Sequence, residues 1–180
     1  MKVVYSSKLK TVHDSWPFFV RAMKEELDLP SDTLVLRNQN GKPFFPDYPD
    51  IHFSVTHTKK HWLCVFADSP VGIDAELSSR KITNGEKIME RFFSPGERAA
   101  VTENTTQKTE LISIWTKKEA YLKVKGLGVL KDMNKVDTAS PDFDMHIKQI
   151  TIPIADENDK LIISVCSQSD PGEIEIRIMD

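Results

Sequence analysis

Cysteine is scarce in this chain, and neither copy stands in a reactive pattern. Cys64 lies in "HWLCVFA" and Cys166 in "LIISVC", apolar β-like runs in which cysteine acts as a small buried hydrophobe, and no CxxC spacing is present. Two such thiols suggest a reducing compartment. Long apolar runs are missing too: none approaches the roughly 18 residues that a membrane helix needs. The opening "MKVVYSSKLK" is too short and too often charged for a secretory signal. A cytoplasmic protein without a membrane partner is expected. Nor is there a basic excess. With 24 Lys and Arg against 27 Asp and Glu the net charge is −3, which argues against a nucleic-acid partner and means that any anionic ligand is held locally. Repeats, low-complexity tracts and long linkers are absent as well.

What remains is an ordinary globular composition: 180 residues, 39% hydrophobic, enough for one domain or two small lobes packed together. A short strand over residues 2–5 precedes "DSWPFFVRAMKEELDL", which reads as a helix with Ser15 as N-cap, Pro17 in the first turn and Phe19, Met23 and Leu27 along one face. "TLVLR" reads as a strand, and "NQNGKPFFPDYPD" as a turn-rich loop. Three β-like runs follow in close succession, "IHFSVTH", "HWLCVFA" and "VGIDAE", and their spacing suggests an antiparallel meander. Residues 84–102 change to helical periodicity. Within them, "SPGE" reads as a capping box, so that Glu97 is better explained by capping than by catalysis. The longest helix runs through "KTELISIWTKKEAYLKVKG", with Leu111, Ile114, Trp115 and Leu122 as its apolar stripe and Gly126 as its stop. Strand-like runs near 146–152, 160–166 and 173–178 close an α+β chain.

The stretch "VGIDAE" is the anomaly. Residues i and i+2 of a strand share a face, so Asp74 and Glu76 point the same way from a segment that otherwise belongs in the core. Either they sit at a solvated strand end, or a divalent cation lies between them. On the long helix, Glu119 and Lys123 stand four apart and share a face with Trp115. As an ordinary helical ion pair they are worth only about 0.2–0.5 kcal/mol. Lys117, Lys118, Lys123 and Lys125 likewise read by default as a wet helix surface.

Taken together, "FSVTHT", "GIDAE", "FFSPGE" and "WTKKEAYLKVKGLG" occur in the order and rough spacing of a known family. The chain resembles the 4′-phosphopantetheinyl transferases, specifically the surfactin-synthetase-activating type. Their signature is G-[IV]-D-x-E on a strand and, about 40 residues later, W-[ST]-x-K-E-[AS]-x-x-K followed by a glycine pair. Every one of those positions is filled here, and the resemblance runs from about Gly41 to Asp137.

The resemblance implies a single transferase domain over residues 1–180, built as two pseudo-symmetric α+β lobes with a shortened first lobe, approximately 1–60 and 61–180. It implies transfer of the 4′-phosphopantetheine arm of coenzyme A to a serine of an acyl or peptidyl carrier protein, releasing adenosine 3′,5′-bisphosphate. Asp74, Glu76 and Glu119 would hold Mg²⁺, for which Mn²⁺ can substitute, and Lys123 would face the phosphates. The general base is either Glu119 or a metal-bound water oriented by Glu76. Thr56 and His57 match the family's S-H-S-like segment at the nucleotide phosphate, and Lys42 a position near the adenine. Two lobes in one chain would make a monomer sufficient. One departure stands out: where the family carries an arginine after a histidine, for the 3′-phosphate, this chain has His13 followed by Asp14, an acid that would repel a phosphate, so either Lys8 and Lys10 take over that role, or the alignment slips there, or nucleotide binding is weakened. The competing reading is a non-catalytic module of the same fold that binds carrier proteins or nucleotides.

Overall fold

The computed structural model describes residues 1–127, 133–154 and 158–179. Its strands sort into two main sheets. The first has the order β4 (His52–Thr58), β5 (His61–Ala67), β1 (Lys2–Ser6), β9 (Glu175–Ile178); β1 runs parallel to β9 and the other pairs are antiparallel. The second is antiparallel, with β6 (Val71–Leu77), β8 (Asp159–Ser167) and β7 (His146–Ile154) side by side. A two-residue pair, β2 (Leu36–Arg37) with β3 (Pro43–Phe44), is all that forms of the strand expected over "TLVLR". Helix α1 (Ser15–Leu27) belongs with the first sheet; α2 (Gly85–Phe92), α3 (Pro95–Glu103) and α4 (Gln107–Lys125) belong with the second. The architecture is α+β, as the sequence predicts.

Strand alternation sets the layers. Val3, Tyr5, Leu63 and Val65 of the first sheet meet Val71, Ile73, Ala75, Leu77, Leu161, Ile163 and Val165 of the second in one core. The opposite face of the first sheet, with Val4, Trp62 and Cys64, packs on Phe19, Ala22 and Met23 of α1. Cys166 of the second sheet packs on Ala120 and Val124 of α4. Within β6 the odd residues therefore enter the core between the sheets, while Gly72, Asp74 and Glu76 face away from it. Two acids belong in an apolar strand because only alternate residues of that strand are in the apolar core.

Several expectations need correction. β4 and β5 form the expected hairpin, but β6 does not continue the meander; it leaves the sheet after "DSP" and pairs with β8. The sheets thus part between β5 and β6, whereas residues 60 and 61 lie inside the β4–β5 hairpin, and β9 returns from the far end of the chain to the first sheet. Ser15 is the first residue of α1 rather than its cap; the N-cap is Asp14, and the Ser15 hydroxyl accepts from the Trp62 indole N–H at 2.9 Å. "SPGE" is a capping box as read: Ser94 Oγ accepts from the Glu97 N–H at 3.1 Å, and Glu97 Oε2 accepts from the Ser94 N–H at 2.9 Å. Gly126 stops α4 in the left-handed region at φ 63°. Gly128, the second of the expected glycine pair, lies outside the described residues.

Helix α4 is not a wet surface. Lys118 is fully buried, its ammonium 2.5 Å from Glu97 Oε2. The helix is held to the second sheet by a buried polar cluster, in which Thr116 Oγ1 lies 2.8 Å from Ser164 Oγ and Gln149 Nε2 donates to Ser164 Oγ at 2.8 Å. Sheet, α3 and the segment after α4 cover it on several sides, so polar residues are buried wherever a partner is at hand.

Candidate active site

The site begins where α4 crosses β6. Gly72 leaves no room there for a side chain, since a Cβ would fall 2.0 Å from the Ala120 carbonyl oxygen and 2.8 Å from the Val124 nitrogen. This close approach carries the last two turns of α4 onto the face of β6 that bears the acids. Lys123 Nζ consequently lies 2.8 Å from Asp74 Oδ1 and donates to the Ile73 carbonyl at 2.9 Å. The contact joins residues 49 apart in sequence.

Strand β4 flanks β6 from the other side. The two are joined through side chains: Ser54 Oγ accepts from the Ile73 N–H at 3.1 Å, Thr56 Oγ1 donates to Asp74 Oδ1 at 2.9 Å, and Thr58 Oγ1 donates to Glu76 Oε2 at 3.0 Å. The period-2 run of hydroxyls in "SVTHT" is thus a ladder that fixes the rotamers of both acids. Arg80 closes on the remaining oxygen of Glu76, Oε1.

Glu119, one turn before Lys123, is 7% exposed and faces the same acids. Burial, followed by the negative charge of Asp74 and more weakly of Glu76, pushes its carboxyl up to about 7, with Lys123 opposing. Burial likewise raises Glu76, against the pull of Arg80. Three carboxylates from one strand and one helix therefore share a neighbourhood, two of them reluctant to ionise. Among the described residues no three His, Cys, Asp or Glu side chains are already gathered as a cage for a metal ion. The chain's own cations, Lys123 and Arg80, hold Asp74 and Glu76 instead. The donor set nevertheless fits a hard divalent cation: it is all oxygen, carries excess negative charge, and contains a buried acid whose ionisation a cation would favour.

Beside Lys123 opens a cavity of about 550 Å³ between the first sheet and the end of α4. Among the described residues its walls carry Arg37, Lys42, Lys123, His13 and His57 and not one carboxylate. In a chain of net charge −3 that is a local cationic site, and it suits a polyanionic ligand. His57 lines it as expected. Thr56, on the opposite face of β4, does not; it is buried against Asp74. Lys42 is half-buried, with its ammonium turned onto the carbonyls of Val124 at 2.9 Å and Val71 at 3.4 Å, and burial lowers its affinity for the proton. It braces the end of α4 as well as lining the cavity. Asp14 is turned away from the cavity: its Oδ2 accepts from the Thr11 N–H at 2.8 Å and the Thr11 hydroxyl at 3.1 Å. Asp14 is not on the cavity wall, so a phosphate seated there need not touch the acid. Neither Lys8 nor Lys10 reaches the cavity wall.

Sequence reasoning missed several of these residues. Thr58 was legible from its two-residue spacing to Thr56. Gly72 stands in the quoted motif, but its reason, the contact with α4, is tertiary. Arg37 and Trp16, both on the cavity wall, belong to no motif.

Comparison with known proteins shows which family the chain is similar to. The profile of the 4′-phosphopantetheinyl transferase superfamily matches residues 70–171, which contain the second sheet and α4. The 4′-phosphopantetheinyl transferase gsp of Aneurinibacillus migulanus is 34% identical over 111 residues, 60% of this chain and 45% of that protein. The 4′-phosphopantetheinyl transferase Sfp of Bacillus subtilis is 33% identical over 101 residues, 55% of this chain and 44% of its own. A further 4′-phosphopantetheinyl transferase of Bacillus subtilis is 33% identical over 115 residues, 57% of this chain and 50% of its own. The chain spans about half the length of the curated relatives it matches. With more than half of its residues inside the matched profile, the chain belongs to the 4′-phosphopantetheinyl transferase superfamily.

Proposed function

We propose that this chain transfers the 4′-phosphopantetheine arm of coenzyme A to a serine hydroxyl of an acyl or peptidyl carrier protein and releases adenosine 3′,5′-bisphosphate. In that reaction the serine oxygen forms a bond to the phosphorus that carries the pantetheine, and the bond from that phosphorus to the bridging pyrophosphate oxygen breaks. The serine proton must leave, and the bisphosphate carries away the bridging oxygen and its electron pair. The observation that carries the reading is the junction of Lys123 with Asp74 at the edge of a cation-lined cavity. A polyanion lying in that cavity brings its phosphates to a lysine and to a cluster of carboxylates.

Each group then has a task. Lys123 neutralises charge gathering on the leaving oxygen, and its position is fixed by the Ile73 carbonyl. Asp74, Glu76 and Glu119 would hold Mg²⁺ or Mn²⁺, which would neutralise the pyrophosphate oxygens when bound. Glu119 is also a candidate to take the serine proton, since it stands one turn before Lys123 and faces Asp74. Lys42 and His57 line the nucleotide side of the cavity, and Thr56 supports the site from behind by holding Asp74. We read residues 1–180 as a single transferase domain, its two sheets as the cores of two pseudo-symmetric lobes of which the first is shortened. One long helix on each sheet supports that reading. A cleft between lobes in one chain suffices as a monomer, and two buried free thiols suit the cytoplasm.

The test is incubation with an apo carrier protein, coenzyme A and Mg²⁺, followed by intact-mass measurement of the carrier. A gain of one phosphopantetheine arm is expected. Carrier binding without mass gain would leave a non-catalytic module in place of the enzyme.

A further inference from the structure

The cavity wall carries a second set of features that the transfer chemistry does not use. Three of the chain's exposed large apolar side chains, Val12 (54% exposed), Trp16 (53%) and Leu127 (42%), line it together. Single exposed apolar residues are ordinary, whereas three converging on one cavity mark a place where an apolar part of a ligand lies. Trp16 is the largest of them, and it packs on the aromatic core. It sits in the first turn of α1 with its ring 5.4 Å from Phe19, which in turn packs on Phe53 at 4.7 Å and Phe45 at 6.1 Å.

Across the same cavity lies Arg37 of β2. Its Nη1 donates to the Gly41 carbonyl at 2.7 Å, which fixes the guanidinium while engaging one of its five N–H donors. The other two strong cations are committed: Lys42 to the carbonyls of Val71 and Val124, Lys123 to Asp74. Among the described residues of the wall, Arg37 is therefore the cation left over for an anion that lies away from the reacting phosphates, and with Asp14 turned to Thr11 no described carboxylate on the wall opposes it.

We propose that Trp16 and Arg37 form a two-part nucleotide clamp, the indole stacking on the base and the guanidinium taking the ribose phosphate. This rests on the transferase reading for the identity of the ligand, coenzyme A, and it makes the first lobe the source of selectivity for the 3′-phosphate. Base-on-aromatic stacking tolerates any flat heterocycle, so Trp16 contributes affinity. An arginine's fixed fork of donors makes charge-assisted bonds to a phosphate, so Arg37 contributes the discrimination.

The test uses the product side of the ligand and reads binding, not turnover. Of the chain's three tryptophans, Trp62 is fully buried and Trp16 is the one that is more than half exposed. Adenosine 3′,5′-bisphosphate should quench the native protein's indole fluorescence, and Trp16→Leu should remove that quench and weaken binding about tenfold. Trp16→Phe should restore most of the affinity. In calorimetry, Arg37→Gln should weaken adenosine 3′,5′-bisphosphate about tenfold or more while leaving adenosine 5′-phosphate within about twofold. Unchanged affinity in Trp16→Leu would overturn the platform, and equal losses for both nucleotides in Arg37→Gln would overturn the 3′-phosphate contact. Failure of the native protein to bind either nucleotide would overturn both. Because carrier mass gain is scored separately, a protein that binds with this selectivity but does not transfer would refute the enzyme reading and leave the clamp standing.

Discussion

A Cβ on Gly72 would meet the Ala120 carbonyl oxygen at 2.0 Å, so β6 and α4 lie as close as they do only because residue 72 is glycine. The colliding atoms are backbone and cannot swing aside. Gly72→Ala is therefore expected to push α4 off the sheet, destabilise the fold by about 1–3 kcal/mol as overpacking does, and separate Lys123 from Asp74. Denaturant unfolding would show a lowered midpoint, and carrier modification at a temperature where the variant is still folded would fall at least tenfold. A midpoint equal to the native one would mean that the close approach does not govern the site.

Lys123 can be told from a surface lysine. Its side chain is 28% exposed and bonded to Asp74 and Ile73, whereas Lys125 pairs with Asp144 at the surface. Lys123→Met should cost on the order of 1 kcal/mol, since it unpairs Asp74 and a carbonyl, and should reduce the transfer rate by orders of magnitude. Lys125→Met should change stability by less than about 0.5 kcal/mol and leave the rate near native. Equal effects at the two positions in paired unfolding and rate measurements would remove Lys123 from the site.

The parts of this fold that the sequence shows are the local ones. Period-2 hydrophobicity marks β4 and β6, a continuous apolar run marks β5, a capping box marks α3, and Gly126 marks the end of α4, because each is decided by neighbours in sequence. The destination of β6 was not legible. A short apolar strand reads alike whether it pairs with the strand before it or, as here, with β8 some 90 residues later. The same limit applies to the site. Asp74, Glu76, Glu119 and Lys123 stand out by motif, but the commitment of Lys42 to backbone carbonyls and the turning of Asp14 to Thr11 depend on tertiary contacts or rotamers. Lys118 was misread for the opposite reason, since in a run of lysines the buried one looks like the others.

Glu119 gives the metal-free protein a pH dependence whose sign is fixed. Its carboxyl titrates at about 7 in the fold against an ordinary value of 4.5. For an acid raised by folding, the native state binds protons more tightly than the unfolded chain, so stability is fullest below about 4.5 and is lost as pH rises through about 7. Glu76 is shifted in the same direction. The melting temperature of metal-free protein should therefore decline between about pH 5 and about pH 8, and Glu119→Gln should flatten the decline. Excess Mg²⁺ should raise the native melting temperature at about pH 8, because a bound cation offsets the repulsion among Asp74, Glu76 and Glu119. A native profile parallel to that of Glu119→Gln would mean that the buried carboxyl does not titrate in this range.

The buried pair Glu97–Lys118 calls for a prediction about structure, apart from the chemistry. Both side chains are fully buried, 2.5 Å apart. Glu97 also accepts from the Ser94 N–H at 2.9 Å and from the Thr138 N–H and hydroxyl at 3.0 Å each, while Lys118 donates to the Val136 carbonyl. The pair thus ties α3, α4 and the segment after α4 together. Lys118→Met removes the cation and leaves a buried carboxylate with only neutral donors, which is expected to cost about 3–5 kcal/mol. Adding Glu97→Gln removes that stranded charge and keeps an amide oxygen for Ser94 or Thr138. The double variant should therefore be more stable than Lys118→Met alone, the reverse of what two independent losses would give. Chemical denaturation of native, single and double variants closes this cycle. A double variant that unfolds at lower denaturant than Lys118→Met would show that Glu97 acts through its capping bonds alone and that its charge is not what Lys118 is there to balance.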